Sequence, residues 1–394
     1  MNHRERFLEL QAALKAHEAL WRPSPFYMRR PPWCEAWPAL AEAALALGDE
    51  ALERFVADPD ACRAWLAPLL PVATRLGELC DLTPLPQRAL PPSGRHFDWH
   101  IPGRKREQIE AFAAHGAAPR APLLEWCAGK GHLGRRLALS DGLPVSSLEI
   151  DPALCADAEH LATRAGVAQT VLCADALAPA SRGYVRGCAV LALHACGELH
   201  RSLVRSAAGD GASAYRIAPC CYYRGAQDGY RPLSRDADLH LDGGALRLAV
   251  TETVTAPLRI QHKLARDQAW KLGFVALRNA LQGEAIRPFK PVPGAWQGGS
   301  FADYCRLLAC REGLALPDTV DWAHWEAAGE RRRGEVRRLE LVRHAFRRAL
   351  EVWLVMDLAL GLEEAGFEVA VGTFCDRALT PRNLMVLAER RAGG

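Results

Sequence analysis

No stretch of this 394-residue chain is apolar for long enough to cross a bilayer. The longest greasy run, Ala349 to Leu362, falls short of the required length and contains Glu351 and Asp357, which excludes a membrane span. The opening residues, Met1-Asn-His-Arg-Glu-Arg-Phe-Leu, form a charged amphipathic helix without the apolar core of a signal peptide. Cys-x-x-Cys is also missing. The 13 cysteines are scattered through apolar segments, unlike the dense framework of a small secreted domain. They are expected to be reduced, which implies a cytoplasmic protein, and no metal site is expected. Nor is one sign of charge in excess. With 49 basic and 46 acidic residues the net charge is +3, as in a soluble globular protein, and this balance neither demands nor excludes nucleic acid. The length exceeds a typical single core, so a catalytic domain of roughly 200 residues with additions is expected.

What is present centres on Leu123-Leu-Glu-Trp-Cys-Ala-Gly-Lys-Gly-His-Leu-Gly-Arg135. An apolar run ending in an acid, then glycines two apart, then an apolar-periodic segment predicts a strand, a tight turn and a helix start. Such a turn lets backbone N–H groups approach a ligand that a Cβ would exclude. Two further acids close apolar segments: Glu149 after Val145-Ser-Ser-Leu and Asp175 after Thr170-Val-Leu-Cys-Ala. In a parallel α/β sheet the three strand ends share one rim. That rim suits a ligand with a ribose and a purine. Gly129-x-Gly131-x-x-Gly134 followed by Glu149 also fits the dinucleotide fingerprint, so NAD is an alternative. Glu125 ahead of the glycines and Asp175 beyond them argue instead for a sulfonium nucleoside, whose ammonium and adenine amino groups would partner the extra carboxylates. The plainest alternative is a glycine turn with three solvated acids.

Upstream, residues 1–95 are expected to form an N-terminal helical domain broken by Pro23, Pro25, Pro31 and Pro32. Its Trp21, Trp33, Trp37 and Trp65 are expected in the core rather than stacked on bases. The remainder, 96–394, is the catalytic domain, with an insertion at about 224–335. His96, Trp99 and His100 lead into Arg104, Lys105 and Arg106, placed to face a phosphate or the cofactor carboxylate, and then into a helix over 107–114. Cys188–Gly197 and Ala214–Tyr223 are predicted as the fourth and fifth strands, whose ends carry His194, Cys196, Cys220, Cys221, Tyr222 and Tyr223.

Glu125-x-Cys127-x-Gly129-x-Gly131 resembles motif I of class I S-adenosylmethionine-dependent methyltransferases. Together with His194-Ala-Cys-Gly197, Pro219-Cys-Cys-Tyr222 and Leu379-Thr-Pro-Arg-Asn-Leu384, the chain resembles the METTL25-like methyltransferases and, more distantly, the Trm13-like tRNA 2′-O-methyltransferases. The likeness covers about residues 100–225 and 340–390. It implies a Rossmann-like α/β sheet and S-adenosylmethionine as cofactor, held by Glu125, Cys127, Gly129, Gly131, Glu149, Asp175 and His194. It also implies a reaction-side rim of His194, Cys196, Gly197, Pro219, Cys220 and Cys221. The zinc-finger spacing of the Trm13-like N-terminus is absent.

For that rim, His194 as general base, a cysteine nucleophile among Cys196, Cys220 and Cys221, a zinc site, and small residues filling a crowded strand end are all open readings. Adjacent cysteines argue against the zinc site, being poor ligand geometry.

In the insertion, Leu246–Val254 is predicted as a strand or short helix, 261–272 as an amphipathic helix, 287–299, with Phe289 and Trp296, as a loop, and 303–311 as a helix. Arginines from 331 to 348 exceed the nearby acids, and such a face would neutralise phosphates; RNA is therefore the expected acceptor, with a protein side chain as alternative. A helix over 341–365 and two terminal strands follow. Strands joined so closely must be antiparallel, a hairpin that dinucleotide dehydrogenases generally lack. A silent cofactor-binding module is a further alternative.

Overall fold

A computed structural model describes residues 1–94, 97, 101–251, 258–283 and 290–391. His96, Trp99, His100, Phe289 and the end of the 246–254 stretch lie outside the described residues.

The sheet has seven strands: β1 (Leu123–Trp126), β2 (Val145–Glu149), β3 (Gln169–Cys173), β4 (Ala189–Cys196), β5 (Ala214–Cys220), β6 (Phe367–Thr373) and β7 (Leu384–Arg390). Their order is β3-β2-β1-β4-β5-β7-β6. The first five are parallel, because a helix returns the chain between successive strands or, between β3 and β4, a 3₁₀ turn at Pro179–Val185. Only residues 374–383 separate β6 from β7, too few for a crossover, so these two pair antiparallel and β7 also pairs antiparallel with β5. This is the mixed α/β sheet with a C-terminal hairpin that the sequence predicts. β1 and β5 are buried along their whole length and are mostly apolar, each interrupted by one buried charged residue, Glu125 and Arg216.

Local signals set the helix ends. Asp151 accepts the Ala153 N–H at 2.8 Å, Pro152 opens the helix Pro152–Ala165, and Gly166 ends it in the left-handed region. The greasy run from Ala349 to Leu362 is buried throughout, inside the helix Arg347–Glu364. Both of its acids accept hydrogen bonds. Glu351 takes a hydrogen bond from Arg348 at 2.6 Å, and Asp357 accepts from the Tyr230 hydroxyl and the Leu233 and Ser234 amides at 2.7–2.9 Å.

The chain forms two compact units. One contains the sheet and is built from 1–16, 76–255 and 347–394; the other comprises 17–75 and 256–346. The stretches expected to be separate, most of 1–95 and the insertion from 256 onward, thus cluster with each other, while the helix His3–Ala16 and residues 224–255 of the insertion go with the sheet. There Phe7 stacks on Trp353 at 5.1 Å. Within the second unit, Leu258–Gln282 and Trp322–His344 are long helices that meet backbone to backbone. A Cβ on Gly329 would lie 2.3 Å from the Ala269 carbonyl oxygen, and one on Gly273 would lie 2.7 Å from that of Trp325. Trp21 and Trp33 are buried there as expected, whereas Trp37 and Trp65 are half-buried, Trp65 stacking on Phe55 at 5.2 Å.

Three element boundaries differ from expectation. The helix predicted over 341–365 is two, Trp322–His344 and Arg347–Glu364, parted at Ala345-Phe346 with no glycine or proline to signal it. The first three residues of the 246–254 stretch belong to a short helix, Gly243–Leu248, opened by Asp242 capping the Ala245 amide. The helix near 261–272 is twice that length, Leu258–Gln282.

Candidate active site

The Gly129–Gly131 turn passes between β1 and the helix His132–Asp141, and its two glycines and Gly134 in the helix answer two different demands. A Cβ at Gly131 would sit 2.5 Å from Gln169 Nε2, and one at Gly134 would sit 2.6 Å from Glu125 Oε2. A Cβ at Gly129 would meet nothing within 4 Å. The first two are therefore packing requirements. Gly129 faces open space, which is the cradle that a ligand resting on the turn needs.

Glu125 is not on the rim. It pairs in register with Ser147, two residues short of Glu149, so it lies about 7 Å further down the sheet at ~3.3 Å per residue. Only 5% exposed, it accepts the Ser147 hydroxyl at 2.8 Å under the helix start. Gln169 extends the network, donating to Ser147 Oγ at 2.8 Å and to the Gly131 carbonyl at 2.9 Å. Burial pushes the Glu125 carboxyl up to about 7, against the pull of Ser147 and the Gly134 amide. In this geometry it braces the turn from below rather than standing on the rim.

Glu149 does stand at the rim. It accepts the Gly129 N–H at 2.8 Å and the Ile150 and Asp151 amides at 2.9 and 3.1 Å. A carboxylate has about four acceptor positions, so one remains, on the oxygen nearer the turn. Asp175, exposed beyond β3, accepts the Leu177 amide at 2.8 Å. Ile150 and Leu177 are 61% and 47% exposed beside these acids, the kind of apolar pair that takes the faces of a flat ring. Cys127 is close enough to both carboxylates and to Cys196 to feel them: burial first, then Glu149, Cys196 and Asp175, push its thiol up to about 12. It stays a neutral thiol.

Among the described residues, the non-glycine positions with positive φ are Cys127 (58°), His194 (59°) and Cys221 (39°). They fall at the ends of β1, β4 and β5, on the rim of the glycine turn, and such strain persists only where the surroundings impose it. At β4 the cause is a bulge. Leu193 pairs with Ala218 and Cys196 with Cys220, so β4 holds one residue more than β5 between those pairs and re-aims His194. Pro219 is tolerated here because β7 pairs with β5 only as far as Ile217. Gly197 lets the β4 end lie against the loop after β5, for a Cβ there would overlap the Arg224 carbonyl.

His194 Nε2 lies 3.0 Å from Gln108 Oε1, while Gln108 Nε2 donates to the Leu379 carbonyl at 3.4 Å. The Gln108 oxygen can only accept, so Nε2 carries the ring proton and Nδ1 keeps its lone pair. Burial lowers the His194 value below the ordinary range, which keeps the ring neutral and able to take a proton at Nδ1. Gln108 escaped the sequence reading, since one glutamine in an amphipathic helix, Gly103–Ala113, gives no signal. On the same helix, Lys105 is close enough to influence both His194 and Glu125. Its outer flank borders a groove of about 590 Å³ with Arg104, Glu107, Phe374 and Asp376 among its walls.

Cys196, Cys220 and Cys221 bring their sulfurs within 4.8 Å of one another, with Cys196 and Cys220 at 3.3 Å. Thiol hydrogen bonds from Cys196 and Cys220, and the charges of Arg224 and Arg382, hold Cys221 well below the thiol range. Cys220, bonded to the other two and buried, is pushed far up. Tyr222 points away from this rim. It is 1% exposed and packs edge-on against His200, whose Nδ1 lies 2.6 Å from the Ala195 carbonyl. Tyr223 lies under the Arg247 guanidinium.

At least five of the eight arginines between 331 and 348 are engaged within the protein. Arg332 donates to the Pro25 and Met28 carbonyls, Arg337 pairs with Glu53 at 2.6 Å, and Arg338 reaches the Leu47 carbonyl and Asp49. Arg343 holds the Trp21 carbonyl and Glu340, and Arg348 holds Glu351 and Asn383. Local glutamates thus serve Arg343 and Arg348, while the acids for Arg337 and Arg338 come from a segment remote in sequence.

No curated protein matches this chain. Among solved structures, the cyclase SpnF is similar at 14% identity, over 39% of this chain and 57% of that one, with a TM-score of 0.25, a likeness too slight to carry an argument. The chain spans little more than half of that structure's length. The segment from the basic start of the Gly103–Ala113 helix to the loop after β5, residues 104–227, matches the family model described as a methyltransferase domain, and the mixed seven-stranded sheet around it is Rossmann-like.

Proposed function

We propose that this chain is an S-adenosylmethionine-dependent methyltransferase with RNA as acceptor. The observation that carries the cofactor reading is Glu149, fastened to the Gly129 N–H at 2.8 Å with one acceptor position left, beside a turn whose outer face is open. That position suits a ribose hydroxyl. Asp175 suits the adenine amino group, with Ile150 and Leu177 against the purine faces. Cys127 and the 129–131 turn flank the methionyl part. The bound cofactor supplies an electrophilic methyl group on sulfur. The chain's own task is to align an acceptor and remove its proton, and His194 Nδ1 is poised to receive it. Lys105, beside His194, is a charge that would meet an acceptor phosphate. An oxidoreductase reading loses support from the antiparallel β7, and a protein acceptor is the competing outcome of the test.

Calorimetry should give micromolar binding of S-adenosylhomocysteine, lost in Glu149→Ala, with no heat from NAD. Absence of binding at millimolar S-adenosylhomocysteine would remove the proposal. Tritium from methyl-labelled cofactor should enter total RNA; entry into protein alone would replace the acceptor, and entry into neither would leave a silent cofactor-binding module.

A further inference from the structure

We infer that Cys196, Cys220 and Cys221 form a three-thiolate binding site for zinc at the paired ends of β4 and β5. Sequence argues against it, because neighbouring residues on a strand point to opposite faces. Two backbone features reverse that objection. Cys221 adopts φ 39°, which breaks the alternation and turns its sulfur to the side of Cys220. The β4 bulge carries Cys196 into register with Cys220, so that their sulfurs stand 3.3 Å apart. All three sulfurs lie within 4.8 Å of one another. In a tetrahedral site with Zn–S near 2.3 Å, the sulfurs are roughly 3.8 Å apart. The cluster brackets that value, so tenths of an ångström at each thiol complete it.

The donor set fits a soft cation. Thiolates favour zinc over magnesium or calcium, and the strained positions that gather them are held by fixed backbone. Gly197 and Arg224 lock the two strand ends together through the Glu198 N–H to Arg224 carbonyl bond at 3.0 Å. Arg201, 1% exposed, donates to the Tyr222 and Arg224 carbonyls at 2.8 and 3.0 Å and fixes the loop that bears Cys221. Arg224 and Arg382 offset the negative charge left when three thiolates meet one divalent ion. Binding displaces the thiol protons to solvent, so it tightens as pH rises. Three protein ligands leave a fourth position for water or an acceptor atom, the arrangement of reactive rather than purely structural zinc. This site does not depend on the methyl-transfer reading.

The test uses the full chain, purified under reducing conditions without chelator. Elemental analysis should find one zinc per chain, and cobalt(II) added to the metal-stripped protein should give a thiolate-to-cobalt charge-transfer absorption. Cys196→Ser, Cys220→Ser and Cys221→Ser should each abolish that absorption and weaken zinc by more than the ten- to hundredfold that loss of an outer-shell partner costs. Cys310→Ser, exposed on the helix Phe301–Glu312, should leave both unchanged. A measurement without variants guards against misfolding: zinc should protect these three cysteines of the wild-type chain from alkylation, mapped by peptide mass. The inference fails if wild type neither retains zinc nor gives the cobalt band. It fails equally if zinc protects other cysteines instead, or if protein prepared without oxygen contains a Cys196–Cys220 disulfide.

Discussion

Glu125 shows how depth changes what a carboxylate does. Its folded-state value near 7 lies above the ordinary 4.5, so the folded chain keeps a proton that the unfolded chain releases. Stability therefore declines as pH climbs from about 4.5 through about 7, by on the order of 3 kcal/mol. Glu125→Gln keeps the Ser147 hydrogen bond and removes the ionisation. Urea unfolding across that interval should show the variant gaining on wild type by about that amount, and parallel curves would refute the assignment. His194 depends in the same way on a neighbour. Replacing Gln108 with Leu frees the ring to choose either tautomer and should lower kcat of the proposed reaction about tenfold at constant KM. Gln108→Glu, by placing a carboxylate on Nε2, should instead raise the acid limb of the kcat–pH profile by a unit or more. An unmoved limb would make Gln108 a packing residue only.

The helix pair Leu258–Gln282 and Trp322–His344 illustrates a demand that runs against local propensity. Alanine in place of a helical glycine ordinarily stabilises by up to ~1 kcal/mol. At Gly329 the added methyl would strike the Ala269 carbonyl oxygen and the Gly273 backbone, neither of which is a flexible side-chain end. Gly329→Ala should therefore destabilise by about 1–3 kcal/mol, read as a lower midpoint in thermal unfolding. Gly334→Ala, where the new methyl meets only the end of the Arg338 side chain, should be neutral or stabilising. The glycine turn, the alternation of strands with helices and the terminal hairpin were legible because each has a local cause: a period, a cap, or a loop too short to cross over. What lay beyond the sequence was set by register and by distant partners. Two residues of strand register separate a carboxylate on the rim from one beneath it. The bulge at His194 appears only when β4 is laid beside β5, and the break at Ala345-Phe346 carries no punctuation.

Charge at the scale of the whole molecule is likewise decided by partners that are far away in the chain. A run of arginines suggests a polyanion, yet Arg337 and Arg338 end on Glu53 and Asp49. Exposed pairs of this kind contribute roughly 0.2–1 kcal/mol each. Arg337→Ala with Arg338→Ala should lower the unfolding midpoint slightly and leave the salt dependence of RNA binding unchanged. Lys105→Ala should reduce the slope of log affinity against log salt by about one. The reverse result would return the phosphate-binding role to the arginine helix.

Both units draw on chain that is far apart in sequence, and the strand between β5 and β6, β7, is the last to be made. During translation, residues 17–75 therefore leave the ribosome long before their companions at 256–346, and the slot beside β5 stays unfilled until Arg390 has cleared the exit tunnel. The two units become complete at different moments, one at residue 346 and the sheet only with β7. A nascent chain stalled between those points should protect 17–75 and 256–346 from protease while the sheet unit stays open to cleavage and to holdase chaperones.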